Sequence, residues 1–192
     1  MSIVLIDYNA GNVKSVQNAF KRLNTEIILT SDKALIEAAD KVIFPGVGEA
    51  STTMNYLNET GLADTIRQLK QPFLGICLGM HVLCAFSEEN NTECLGIFNQ
   101  TVKKFTNVPK VPHMGWNTTE IKNKHTLFSM ENAFFYYVHS YFVEPCENTI
   151  ATCTYTFPFS AALQKDNFYA VQFHPEKSAD AGETLLQRFL EL

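Results

Sequence analysis

Residues 72–86, Pro-Phe-Leu-Gly-Ile-Cys-Leu-Gly-Met-His-Val-Leu-Cys-Ala-Phe, limit most narrowly what the chain can fold into. They open as an apolar run suited to a buried strand and close as an apolar segment suited to a helix. Between the two, Gly75-Ile76-Cys77-Leu78-Gly79 has the form G-x-S-x-G with Cys in place of Ser. That spacing marks a strand-to-helix elbow that lifts a nucleophile out at the end of a sheet. The turn is tight, and a Cβ at either glycine would crowd it. A helix that starts directly after Cys77 favours the thiolate through its macrodipole and free backbone N–H groups. Taken alone, the stretch describes equally well a buried structural cysteine between glycines that let a helix pack closely on a strand. The rest of the chain decides.

The segments before the elbow repeat one pattern. Ile3-Val4-Leu5-Ile6 runs apolar without alternation, as a parallel strand buried on both faces does. After the polar break Asp7 to Asn12, Val13, Val16, Phe20 and Leu23 share one helical face. Residues 26–30 read as a second strand, and Ser31 or Asp32 caps a short helix through Ala39. Val42-Ile43-Phe44 is a third strand, closed by Pro45, and two helices follow, one with Met54 and Leu57, the other with Leu62, Ile66 and Leu69. Strands alternating with helices predict βαβ units in a doubly wound, mostly parallel sheet with helices on both faces. Beyond Ser87 the pattern changes to short β-prone runs at 94–105, 114–121, 133–143, 149–155 and 160–164, read as an antiparallel or mixed extension of that sheet. Residues 169–173 form a last buried strand. Asp180 and Glu183 suggest a capping box for a final helix with Leu185, Leu186, Phe189 and Leu190. With no repeat, low-complexity tract or linker, residues 1–192 read as one α/β domain.

Composition excludes several functions. The net charge of −5 leaves no basic footprint for nucleic acid. No apolar run reaches membrane-spanning length, and the first residues meet Asp7 too early for a signal peptide. Five cysteines without C-x-x-C spacing argue against a disulfide framework or a zinc site. A reducing cytoplasm, where a reactive thiol survives, is the expected location.

Ligands of an open α/β sheet bind beyond the carboxyl ends of its strands. Three motifs fall there: Gly46-Val47-Gly48, Cys77 and His174-Pro175-Glu176. A cysteine nucleophile needs a base that takes its proton and later returns it to the leaving group, and histidine serves both steps near neutral pH. The base needs an acceptor to fix its tautomer. Pro175 is expected to place His174 and Glu176 on the same side of an extended segment, so that Cys77, His174 and Glu176 form a Cys-His-Glu triad. Oxyanion donors would be the N–H of Leu78 and a peptide near Val47, with Gly46 and Gly48 freeing that peptide to turn. Ser51 stands where a dinucleotide fingerprint needs glycine, and no P-loop lysine follows. The remaining histidines read blandly: His113 and His125 lack partners at metal spacing, and His139 lies in an aromatic run (Phe134 to Phe142) of core character. Cys84, on the same apolar helix as Cys77, reads as an inert core thiol. No metal and no cofactor is expected.

At these residues the chain resembles the class I (triad) glutamine amidotransferases, and more closely the branch formed by the glutaminase subunits of imidazole glycerol phosphate synthases. The likeness spans the chain and rests on Asp7 to Asn12, Pro45-Gly46-Val47-Gly48, the elbow through Met80, Pro112-His113-Met114-Gly115-Trp116-Asn117, Val138-His139-Ser140-Tyr141 and His174-Pro175-Glu176-Lys177-Ser178. It implies that Cys77 attacks the carboxamide of glutamine to give a thioester and ammonia, with His174 moving the protons and Glu176 orienting it. It implies substrate contacts at Ser140, Tyr141 and position 81. It also implies a heterodimer with a (β/α)8-barrel cyclase, which uses the ammonia to make imidazole glycerol phosphate and an aminoimidazole carboxamide ribotide in histidine biosynthesis. Asn12, Met114, Trp116, Tyr136 and Lys177 would face that partner.

One position departs from the family. Where glutamine usually follows Gly-Met and holds the substrate, this chain has His81. The ring is shorter and can be charged, so His81 is expected to weaken or pH-modulate glutamine binding without abolishing activity. The residues leave three rivals open: the glutaminase of a different amidotransferase, a partner-independent cysteine hydrolase, and a catalytically silent binding subunit.

Overall fold

Strand β1 (Ile3–Ile6) shows why the first apolar runs do not alternate: Ile3 and Leu5 belong to one hydrophobic core, Val4 and Ile6 to another on the opposite face. The computed structural model describes residues 1–9, 13–122, 125–128 and 132–192. Strands β2 (Ile28–Thr30), β3 (Lys41–Phe44) and β4 (Phe73–Ile76) pair with it in parallel, in the order β2-β1-β3-β4. Helices α1 (Val13–Arg22) and α6 (Ala179–Leu190) cover one face with Val16, Phe20, Leu185, Leu186 and Phe189. The opposite face is covered by α2 (Lys33–Ala38), α3 (Ala50–Thr60), α4 (Leu62–Gln68) and α5 (Leu78–Leu83). The expected doubly wound sheet with helices on both faces is therefore present.

Strand β13 (Phe168–Val171) joins in parallel beside β4, and from there the sheet turns antiparallel through β12 (Phe157–Lys165), β11 (Thr149–Tyr155), β8 (His113–Ile121) and β9 (Asn132–His139), making nine strands. The expected extension accounts for only part of the chain beyond Ser87. A second sheet, in the order β10-β7-β5-β6, consists of Tyr141–Val143, Phe98–Lys104, Cys84–Ser87 and Thr92–Glu93. It packs onto the core of α3 to α5 through Cys84, Phe98, Val102 and Val143.

Three local expectations need correction. Helix α5 stops at Leu83, so Cys84 heads a strand and does not continue the helix. Every residue of α5 is buried, and an element that is apolar all round carries no periodicity to mark where it ends. The capping box does not form: α6 starts at Ala179, and Asp180 sits inside its first turn. Glu183 instead pairs with Arg22 of α1, tying together the two helices of that face. The segment after β13 is not extended either, since residues Pro175–Lys177 form a 3-10 turn.

Candidate active site

Strand β4 ends at Ile76 and α5 begins at Leu78, so Cys77 alone makes the elbow, at φ 47° and ψ −99°. Such a conformation costs a non-glycine residue on the order of 1–3 kcal/mol and persists only where the surroundings impose it. Here the N–H of Cys77 donates to Val171 O at 2.7 Å, and its carbonyl accepts from the N–H groups of Met80 and His81 at 2.9 and 3.2 Å. The flanking glycines serve packing. A Cβ on Gly75 would lie 2.8 Å from the Gly79 backbone, and one on Gly79 would lie 2.8 Å from the Phe44 carbonyl oxygen.

Cys77 opens onto a cavity of about 320 Å3 at the carboxyl ends of the parallel strands. Gly46, Val47 and Gly48 form one wall, and Leu78 and His81 come from α5. His139, Ser140 and Tyr141 line it from β9 and β10, and His174 closes it. Val47 and Gly48 also border a second cavity of about 300 Å3. The loop is thus a thin partition, held by the Tyr8 hydroxyl, which donates to the carbonyls of Pro45 at 2.7 Å and Val47 at 3.2 Å.

His174 Nδ1 and Glu176 Oε1 lie 2.8 Å apart, and both side chains are 1% exposed. The 3-10 turn brings the carboxylate back to its neighbour, the contact that an extended segment was expected to provide. A carboxylate at Nδ1 fixes the proton there. Nε2 is buried with no hydrogen-bond partner among the described residues. Burial pulls the His174 pKa down, but Cys77 and Glu176 outweigh it and raise the value to about 10. Ser178 fastens this turn to β9: its Oγ donates to His174 O at 2.6 Å and accepts from the Tyr136 N–H at 2.9 Å.

His81 lines the cavity from α5. It is 5% exposed, and burial depresses its pKa to about 4 despite the bond to Gln172. The ring is therefore neutral from about pH 6 to about pH 8. Its Nε2 lies 2.8 Å from Gln172 Oε1, and Gln172 Nε2 lies 3.6 Å from Cys77 Sγ.

Three features escaped the sequence reading. Glu89, in a short 3-10 turn (Glu89–Asn91), reaches the cavity and accepts from the Ala50 N–H at 2.8 Å, capping α3. The polar break Ser87-Glu88-Glu89-Asn90-Asn91 after an apolar run was its only signal. His113 and His139 face each other across β8 and β9 with Nδ1 and Nε2 3.0 Å apart. His139 Nδ1 donates to Tyr141 O at 2.7 Å, so His113 must donate to His139, and the Asn117 amide donates to His113 Nε2 at 3.2 Å. Burial depresses both imidazoles, His113 to about 4. The aromatic run, finally, is not all core: Phe134 is 61% exposed.

Phe134 belongs to an outward face of β8 and β9 shared with three of the expected partner residues. Met114 and Trp116 are 58% and 53% exposed. The Trp116 indole meets the Tyr136 ring edge-on at 6.3 Å, and Lys177 Nζ lies 5.9 Å from the same ring. Asn12 lies outside the described residues. Among the described residues no group of His, Cys, Asp or Glu side chains is arranged to hold a metal ion, and no helix is long and apolar enough to cross a membrane.

The family model for glutamine amidotransferase class-I matches residues 4–192. The chain is 56% identical, over 197 residues and 100% of both proteins, to imidazole glycerol phosphate synthase subunit HisH of Bacteroides fragilis. It is 43% identical over 200 residues to the subunit of the same name from Vibrio cholerae, covering 100% of this chain and 98% of that one. Among solved structures, a glutamine amidotransferase superposes with a TM-score of 0.79 at 20% identity, covering 98% of this chain and 97% of the other. A glutamine amidotransferase of Thermotoga maritima gives 0.66 at 17% identity, covering 100% and 81%. These two likenesses concern the fold alone.

Proposed function

The chain belongs to the class I glutamine amidotransferase family, as a glutaminase subunit of imidazole glycerol phosphate synthase in histidine biosynthesis, and we propose that it works through a triad of Cys77, His174 and Glu176. The observation that carries this reading is the buried His174–Glu176 pair, 2.8 Å apart, in the cavity that Cys77 opens onto.

In this reading the carboxamide of glutamine lies beside Cys77 Sγ. Glu89 supplies a carboxylate for the substrate's ammonium group, and Ser140 and Tyr141 line the same cavity. Sulfur attacks the carboxamide carbon once its proton has passed to His174 Nε2. The N–H groups of Leu78 and Val47 donate to the oxyanion, the former helped by its place at the start of α5. When the C–N bond breaks, His174 gives the proton to the leaving nitrogen, and ammonia and a thioester result. The raised pKa of about 10 holds the thiol's proton on the ring before the attack; in the thioester the sulfur no longer carries the charge that raises it, and the ring releases the proton. Water then loses a proton to His174 and adds to the thioester carbon. The C–S bond breaks, sulfur regains a proton, and glutamate leaves.

The ammonia passes to a cyclase subunit docked on Met114, Trp116, Tyr136 and Lys177, the two chains forming a heterodimer in the cytoplasm. Residues 1–192 act as one glutaminase domain. In the assembled complex, Cys77→Ala should lower glutamine-driven synthesis at least about 10⁴-fold and leave synthesis from added ammonia within about twofold. Loss of the ammonia-driven reaction in an intact complex would overturn the division into separate glutaminase and cyclase sites.

A further inference from the structure

Val171 of β13 is the register partner of Ile76 of β4, so the next residues of the two strands, Gln172 and Cys77, emerge side by side. Gln172 is fully buried, and its amide spans from His81 to the sulfur. We propose that the Gln172 amide is a hydrogen-bond donor that favours the Cys77 thiolate, and that His81 is a positioning residue which fixes the orientation of that amide. The proposal deepens the function above and rests on Cys77 being the nucleophile.

A carboxamide has a donor end and an acceptor end, and the partner at one end decides which faces the other way. A neutral His81 with its proton on Nε2 takes Oε1 at 2.8 Å and turns the NH2 group toward Sγ at 3.6 Å. The thiol also contacts Val138 O, at 3.8 Å. A protonated sulfur can donate to that carbonyl; an ionised one cannot, whereas the contact with Gln172 strengthens once the acceptor carries charge. The two contacts therefore oppose each other: Val138 O favours the protonated sulfur, and the Gln172 amide favours the ionised one. Burial keeps His81 neutral, so the orientation does not change with pH in the working range. Since its Nε2 is committed to Gln172, His81 serves the nucleophile here and not the substrate. The titratable groups around the thiol are His174 and Glu176 after β13, His81 on α5, His139 on β9, Tyr8 beyond β1 and Glu89.

The test is the pH dependence of Cys77 alkylation by iodoacetamide, located by mass spectrometry on the full-length chain. In Gln172→Leu the half-maximal pH should rise by about one unit, and the rate at neutral pH should fall about tenfold. His81→Leu should shift the profile the same way by less, the double variant should be no worse than Gln172→Leu, and His81→Gln, whose amide can also donate to Oε1, should restore it. In glutamine turnover the loss should fall on kcat, with KM unchanged. If Gln172→Leu lets the reagent reach Cys84, Cys94 and Cys153, the uncharged Gln172→Met, similar in length and without a donor, replaces it with the same expected direction. Unshifted profiles in the Gln172 and His81 variants, with KM for glutamine raised in His81→Leu, would make His81 a substrate contact and overturn the proposal. A shift to lower pH would mean that the carbonyl faces the sulfur, and would also overturn it. Alkylation of Cys77 no faster than of the half-buried Cys146 in the unsubstituted chain would instead remove the nucleophile reading, and the proposal with it.

Discussion

Gly182 shows how little room the triad turn has. A Cβ at this position in α6 would lie 1.9 Å from the carbonyl oxygen of Pro175, the residue between His174 and Glu176. Alanine is intrinsically the better helix former by about 1 kcal/mol, so on propensity alone Gly182→Ala would stabilise. The clash has the opposite sign and costs about 1–3 kcal/mol of overpacking. We expect Gly182→Ala to lower the melting temperature and to reduce kcat for glutamine at least about tenfold, because a misplaced catalytic group loses rate steeply; ammonia-driven synthesis should be unaffected. Normal kcat at reduced stability would show that α6, and not the catalytic turn, absorbs the clash.

Among the elements, legibility followed burial and distance along the chain. Strands β1, β3 and β4 were readable because both faces are buried and the apolar residues run together. The elbow was readable because its chemistry lies within five residues. Helix α5 and strand β5 merged in the sequence because both are apolar where they meet. The His113–His139 pair and the Gln172–Cys77 contact were invisible for another reason: strand registers create them between residues distant in sequence. The β8–β9 face lies between these extremes. The resemblance placed Trp116 toward a partner, but its register with Tyr136, and the exposure of Phe134, needed the fold. If this face docks the cyclase, Trp116→Ala should weaken the heterodimer about 30-fold, or ~2 kcal/mol, as a central aromatic anchor does. The melting temperature of the free subunit should barely move, because half of the side chain already faces solvent. Titration calorimetry with the purified cyclase subunit decides; unchanged affinity would place the interface elsewhere.

For the molecule as a whole, the buried imidazoles set the pH range of stability from both sides. His81 and His113 are depressed to about 4 and His139 lies well below its ordinary value, all mainly through burial. Between the unfolded value near pH 6.5 and those folded values, the unfolded chain binds protons that the folded chain refuses, so stability must fall as pH falls. Each histidine that stays neutral contributes on the order of 1–2 kcal/mol to that loss between about pH 7 and pH 5. His174 acts in the other direction. With its pKa raised to about 10, the folded chain keeps on His174 a proton that the unfolded chain carries on the Cys77 thiol and releases above about pH 8.5, so stability also falls as pH rises beyond that value. The maximum should therefore lie near neutrality, and its two limbs should respond to different substitutions. Urea unfolding over a pH series should show a shallower acid limb in His113→Gln with the alkaline limb intact. Cys77→Ala, which removes a partner that raises His174, should flatten the alkaline limb and spare the acid one. An acid limb unchanged by His113→Gln would mean that the β8–β9 histidine pair accepts a proton in the folded state, and the one-way chain of hydrogen bonds from Asn117 to Tyr141 would then have to be redrawn.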